Sequence, residues 1–231
     1  MSIAENVALV RENIARAAIA AGRDPKDILL VAASKMNDAD RVRQAIAAGV
    51  DACGENRVQE LVEKNAQGAY EGCPLHFIGH LQRNKVKQVV GAAELIHSVD
   101  SLPLLSAIDA AARAKGVRQQ VLLEVNVGNE QSKSGFRAEE IGAVLAKCGE
   151  FSSIWVRGLM AIPPICTLPE ENRPYFTVMK QLFIDNWQKK YDNVSMDFLS
   201  MGMSGDYTEA VACGATMVRV GAAIFGARVY K

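Results

Sequence analysis

Along the 231 residues, apolar runs of strand length alternate with longer segments whose apolar positions recur at helical spacing. The chain opens with an amphipathic helix predicted over residues 3–22. Eight strands are then expected: "ILLVAAS" (28–34), "DACG" (51–54), "LHFIG" (75–79), "ELIHSV" (94–99), "QVLLEVNV" (120–127), "WVRGLMA" (155–161), "MDFLSM" (196–201) and "MVRVG" (217–221). Between them, "DADRVRQAIAAG", "SLPLLSAIDAAARAKG", "AEEIGAVLAKCG" and "ENRPYFTVMKQLFIDNWQKKY" read as helices, several closed by a glycine suited to a C-terminal cap. Strands that are apolar on both faces and separated by crossover helices belong in a parallel sheet. Eight in succession is the count that closes a barrel, so the expected fold is α/β, a (β/α)8 TIM-type barrel with an N-terminal helix. An open doubly wound sheet is the rival arrangement. No composition break or Ser/Gly/Pro-rich linker divides the chain, so one barrel domain over 1–231 is expected. The most irregular stretch, "AIPPICTLPEENRP", falls inside a βα connection.

Composition narrows the partners. An apolar fraction of 49% supports a packed core. Lys plus Arg and Asp plus Glu number 26 each, and no long block of one sign marks a surface for nucleic acid or an anionic membrane. The start, "MSIAENVALVRENIARAAIAAGR", places acids early and lacks a basic region followed by an apolar run, so no signal peptide is expected. No stretch is long and apolar enough to span a bilayer. The five cysteines are scattered, with no C-x-x-C spacing, which suits a reducing, cytoplasmic setting.

In such a barrel, functional groups gather where strands end, because the βα loops converge around the C-terminal mouth. Lys35 falls just past the first strand. It reads either as a surface lysine opening a loop or as an amine over the mouth, lowered in pKa by apolar surroundings and nucleophilic toward carbonyls. After the second strand, "GENRVQE" supplies Glu55, Asn56 and Arg57. Asn56 suits both an N-cap, with Gln59 as capping-box partner, and a ligand-facing role. "HFIGHLQRNK" clusters His76, His80, Arg83, Asn84 and Lys85. The first histidine lies on a strand, so the pair should not share a face, and no metal site is expected. His97 and Asp100 in "IHSVDS" read as strand-end packing and a cap, while Asn126, Lys133 and Gly135 in "VNVGNEQSKSGF" suit either a solvated loop or a site lining.

"LSMGMSGDYTEAV" sets Ser200, Gly202, Ser204 and Gly205 between the seventh strand and a helix, and "VRVGAAIFG" sets Arg219 on the eighth strand with Gly221 and Ala222 at its end. Small residues there let backbone N–H groups approach a phosphate, and a phosphate site after strands seven and eight recurs in this barrel. Neither glycine group is a P-loop or a dinucleotide fingerprint by itself. An amine together with a phosphate site points to a phosphorylated carbonyl compound, either a sugar phosphate in a Schiff-base aldolase or pyridoxal phosphate on a lysine. "AASKMN" offers no acid/base group beside the lysine, which disfavours the aldolase.

At these residues the chain resembles the pyridoxal phosphate homeostasis proteins, the PLP-binding protein family, which are similar in fold to the N-terminal barrel of bacterial alanine racemase. The matching stretches are "LLVAASK", "GENRVQE", "LHFIGHLQRNK", "HSVDS", "EVNVGNEQSKSGF", "RGLMAI", "LSMGMSGDYTEAV" and "VRVGAAIFG", in that order. The resemblance implies that Lys35 forms an aldimine with pyridoxal 5'-phosphate. It also implies that Ser204, Gly221 and Ala222 hold the phosphate with Ser200 close by, that Arg219 faces the pyridine nitrogen, and that Asn56 lies near the ring. A guanidinium cannot accept a proton, so the ring nitrogen should stay unprotonated and the ring should be a weak electron sink. Alanine racemase resembles such a barrel followed by a β domain carrying a tyrosine base, whereas this sequence ends at Lys231, soon after its eighth strand. The expectation is therefore a binder and carrier that buffers the cofactor or passes it to apo-enzymes, with little or no catalysis. A fold-type III enzyme such as a racemase is the alternative, and a cytoplasmic monomer is the expected state.

Overall fold

A computed structural model describes residues 1–131, 133–189 and 191–226. Its elements run α1 (Ile3–Ala20), β1 (Leu29–Ala33), α2 (Ala39–Ala47), β2 (Ala52–Glu55), α3 (Val58–Ala66), β3 (Leu75–Phe77), α4 (Val86–Val89), β4 (Leu95–Val99), α5 (Leu102–Lys115), β5 (Gln119–Val125), α6 (Ile141–Cys148), β6 (Ile154–Ala161), α7 (Arg173–Trp187), β7 (Val194–Ser200), α8 (Tyr207–Ala212), β8 (Met217–Val220) and α9 (Ala222–Phe225). The eight strands form a closed barrel in sequence order, all neighbours parallel, with β8 returning to β1 through Val31 opposite Arg219. The expected barrel is therefore the fold, and the open-sheet alternative is excluded by that closing pair. Residues 132, 190 and 227–231 of the expected domain lie outside the described residues.

The core has two compartments, as strands buried on both faces require. Outward-facing Leu30, Ala32, Phe77, Ile96, Val121 and Leu123 pack under the helices. Inside the barrel, Val31, Ala52, Leu95, Leu122, Met160 and Met217 form a separate apolar layer. Because strand side chains alternate, positions two residues further along point inward again, one layer nearer the mouth. These are Ala33, Gly54, His97, Glu124 and Arg219. The layer beneath the mouth is thus polar on several strands, while the one below it is wholly apolar.

Helix α1 earns its place twice. Its start carries a full capping box, with Ser2 and Glu5 satisfying each other's backbone N–H groups. Its buried stripe of Ile3, Val7, Val10, Ile14 and Ala18 joins the outer core, where α1 packs beside α2, α8 and α9. Polar side chains on its other edge fasten the C-terminal elements: Asn6 donates to the Ile224 carbonyl at 2.8 Å and Asn13 to the Tyr207 hydroxyl at 2.9 Å.

Candidate functional site

At the end of β1 the buried Ser34 is followed by half-buried Lys35, one two-residue step beyond Ala33, and then by Met36 with φ of 61°. That left-handed turn is uncommon for a residue with a side chain. The end of β8 lies alongside. A Cβ on Gly221 would stand 3.2 Å from the Ala33 carbonyl oxygen, so only a residue without a side chain packs there without pushing the strand ends apart. Ser204 bridges from the preceding loop, its hydroxyl accepting the Gly221 N–H at 3.1 Å and the Ala223 N–H at 3.4 Å. Ala222 begins α9 between them. Asp206 staples this loop, accepting from the Met203 N–H and the Asn172 amide, each at 2.7 Å.

Below the mouth a chain of hydrogen bonds crosses the interior. Arg219, 3% exposed, donates to the Ser200 hydroxyl at 2.5 Å and to the Ala161 carbonyl at 3.0 Å. Ser200 lies 3.1 Å from His97 Nδ1, and His97 Nε2 lies 3.0 Å from His76 Nδ1. Burial lowers the His76 pKa to about 4. It also holds His97 well below the ordinary value, helped by the neighbouring His76 and Arg219 charges. Desolvation brings Arg219 down to about 10, so it remains a cation at neutral pH. Glu124 goes the other way, pushed up to about 7 by burial and by Asp100, against the pull of Arg219.

A cavity of about 240 Å³ opens at the mouth, lined by Asn56, Gly79, Glu124, Asn126, Lys133 and Met160. A groove of about 440 Å³ adjoins it through the shared Lys133 and Ile162, and reaches Met203, Gly205 and Asp206. Lys35 does not line the 240 Å³ cavity. The N-cap reading of Asn56 fails. Arg57 occupies that position of α3 and no side chain caps it, because Asn56 is backed against Gly79, where a Cβ would lie 2.1 Å from the Asn56 carbonyl oxygen. The Asn56 Oδ1 is buried without a hydrogen-bond partner among the described residues. His76 and His80 do face different ways, His76 into the barrel and exposed His80 toward Asp100 at 3.4 Å. Instead of a strand-end packing residue, His97 is the centre of the interior chain. Tyr207 points its hydroxyl at α1, away from the mouth.

Residues 6–229 match the family model described as alanine racemase, N-terminal domain. The pyridoxal phosphate homeostasis protein of Aquifex aeolicus is 40% identical over 230 residues, covering 100% of both chains. This chain belongs to the pyridoxal phosphate homeostasis protein family. Among solved structures, PipY of Synechococcus elongatus without PLP superposes with a TM-score of 0.86 at 33% identity, over 97% of this chain and 100% of that one. PipY with PLP bound superposes at 0.78 and 32% identity, with the same coverage.

This family member also carries a buried charged cluster that bonds the residues on either side of Lys35. Glu55, fully buried, accepts through Oε1 from Ser34 Oγ at 2.6 Å, Lys64 Nζ at 2.7 Å and the Tyr70 hydroxyl at 3.0 Å. Lys64, 7% exposed, also donates to the Ser34 carbonyl at 2.9 Å and to Glu60 Oε2 at 3.2 Å, and Glu60 Oε2 accepts the Met36 N–H at 2.7 Å. In sequence Glu60 and Lys64 look like a four-residue surface pair on a helix. The only hint was Glu55, an acid ending a strand that is buried on both faces.

Proposed function

We propose that this protein binds pyridoxal 5'-phosphate at the barrel mouth and takes part in its homeostasis, buffering the cofactor or supplying it to apo-enzymes. The observation that carries the reading is the meeting of the β1 and β8 ends, which sets Lys35 two residues from the Ala33 carbonyl that Gly221 packs against. The residues present fit the group. Ser204 accepts two backbone N–H groups and keeps its own hydroxyl proton to donate to a phosphate oxygen, beside the small residues Gly221 and Ala222. Asn56 holds an unsatisfied buried acceptor at the edge of the cavity. When bound, pyridoxal phosphate supplies an aldehyde carbon that condenses with an amine and a conjugated ring that can withdraw electrons.

Lys35 is the amine in this reading, held where its neighbours fix the backbone. Arg219 faces the ring nitrogen as a donor that cannot take its proton, with Ser200 orienting the guanidinium from below. Without a carboxylate at that position the ring nitrogen is not protonated, which favours holding the cofactor over turning substrates over. A second reading, a fold-type III enzyme, is favoured by Glu124, an acid with a pKa of about 7 beside the cavity. A cytoplasmic monomer belongs to the first reading, and among the described residues no helix is long and apolar enough to cross a membrane.

The test is direct. Added pyridoxal phosphate is expected to give purified protein a visible absorbance band, and borohydride should then fix the cofactor's mass on the peptide containing Lys35. Lys35→Ala should lose both signals. A band that persists in Lys35→Ala overturns the assignment of the anchor, and a protein that takes up no cofactor overturns the function. Turnover of an amino acid at about 1 to 1,000 per second would favour the enzyme reading.

A further inference from the structure

The Glu55, Glu60 and Lys64 cluster is a costly way to stabilise a fold. Taking charges out of water offsets most of what their attraction gains, and apolar residues of similar volume often serve a core as well or better. What distinguishes this cluster is where its bonds go. Lys64 has three N–H donors and uses them on Glu55, Glu60 and the Ser34 carbonyl. Glu55 takes the Ser34 hydroxyl, and Glu60 takes the Met36 N–H. The cluster therefore adds two bonds to the residue before Lys35 and one to the residue after it. Met36 is also where the backbone adopts its left-handed turn, closed by the Asn37 N–H donating to the Ser34 carbonyl at 3.1 Å, and its side chain is 52% exposed, so the Glu60 bond falls on a turn that has little packing of its own.

We propose that Glu60 and Lys64 of α3, through backbone bonds, and Glu55 of β2, through the Ser34 hydroxyl, form a clamp on the Ser34–Lys35–Met36 segment and so position the Lys35 amine toward the aldehyde of the cofactor. The proposal rests on the reading of Lys35 as the anchor. These are positioning residues, since none of them need touch the cofactor. Glu60 acts through the Met36 N–H, and Lys64 ties that carboxylate to Ser34 and to the floor of the cluster. The condensation they serve adds the Lys35 nitrogen to the aldehyde carbon, forms a C=N bond and releases the aldehyde oxygen as water. An amine set off line slows that addition and weakens covalent retention, while contacts to the phosphate and ring are unaffected.

Two ligands separate this role from a structural one: pyridoxal 5'-phosphate, and pyridoxine 5'-phosphate, which has an alcohol where the aldehyde stands. Glu60→Ala removes the acceptor from a helix side chain with access to solvent, and Glu60→Gln keeps an oxygen that can accept the Met36 N–H. Glu60→Ala should bind pyridoxal phosphate about tenfold more weakly and be trapped more slowly by borohydride, with affinity for pyridoxine phosphate unchanged. Glu60→Gln should restore most of the difference. Lys64→Met should show the same ligand selectivity if it folds; the Glu60 pair decides the matter if it does not. Equal losses for both ligands would mean a merely structural role, and no loss for either would mean no role; each result overturns the clamp. A wild-type protein that binds both ligands alike, the behaviour expected of Lys35→Ala, would instead remove the anchor and the clamp together. Wild-type preference for the aldehyde that survives in Glu60→Ala would sink only the clamp.

Discussion

Ser200 takes its importance from having Arg219 on one side and His97 on the other. A guanidinium only donates, so the chain has a self-consistent polarity when Ser200 passes its own proton to His97 Nδ1 and His97 Nε2–H donates to His76 Nδ1. Ser200→Ala would leave Arg219 short of one acceptor and His97 short of one donor, all in a buried site. The expected loss is about 1–3 kcal/mol in a urea melt, with the barrel still closed; an unchanged melt would show that the serine carries no such load. From sequence, Ser200 looked like one more small residue near a phosphate, because the register that brings strands four and seven to the same interior point is a property of closure.

At the scale of elements, most of the barrel was legible. Eight apolar runs gave eight strands because most of them are buried on both faces, β7 with its exposed Asp197 being the least so, and Gly116 does end α5 in the left-handed conformation expected of a glycine cap. Boundaries moved where tertiary contacts decide them. The third strand stops at Phe77 instead of reaching residue 79, as Gly79 is drawn against Asn56. The bulge in β6 was invisible for the same reason: Gly158 has φ of 143°, and a Cβ there would lie 1.9 Å from the Phe198 carbonyl oxygen. Gly158→Ala should therefore destabilise the protein by more than about 2 kcal/mol, combining backbone strain with overpacking, while Gly205→Ala, whose Cβ would meet nothing within 4 Å, should be far milder. Thermal melts of the two variants side by side check this. Lys64 was illegible because helical spacing cannot tell a solvated Glu–Lys pair from one turned under a strand end.

For the whole molecule, the interior chain and Glu124 set opposing dependences on pH. His76, depressed from 6.5 to about 4, leaves the unfolded chain binding more protons between those values, so its contribution to stability is full above pH 6.5 and is lost as pH falls. His97 acts in the same direction. Glu124, raised from 4.5 to about 7, contributes stability that is full below pH 4.5 and is lost as pH rises through 7. A shift of the His76 size corresponds to about 3 kcal/mol, and the two trends overlap across the mildly acid range. Urea melts from pH 4.5 to 7 should show the Glu124→Gln variant gaining stability with pH more steeply than wild type, and His76→Gln more weakly. Identical slopes in all three proteins would refute the assignment.

The seam between β1 and β8 also has a consequence in time. Lys35 is made early, yet the Ser204, Gly221 and Ala223 groups beside it belong to the last part of the chain, and β1 pairs with β8 through Val31 and Arg219. During synthesis β1 must wait, one edge of its ladder open, until nearly every other strand has been produced. The longest-range pairing is then also the slowest to form, and a nascent chain halted before β8 would expose two unpaired edges, on β1 and β7. The proposed cofactor site is thus among the last features to assemble, and an incomplete chain would be prone to aggregation before it could capture any ligand.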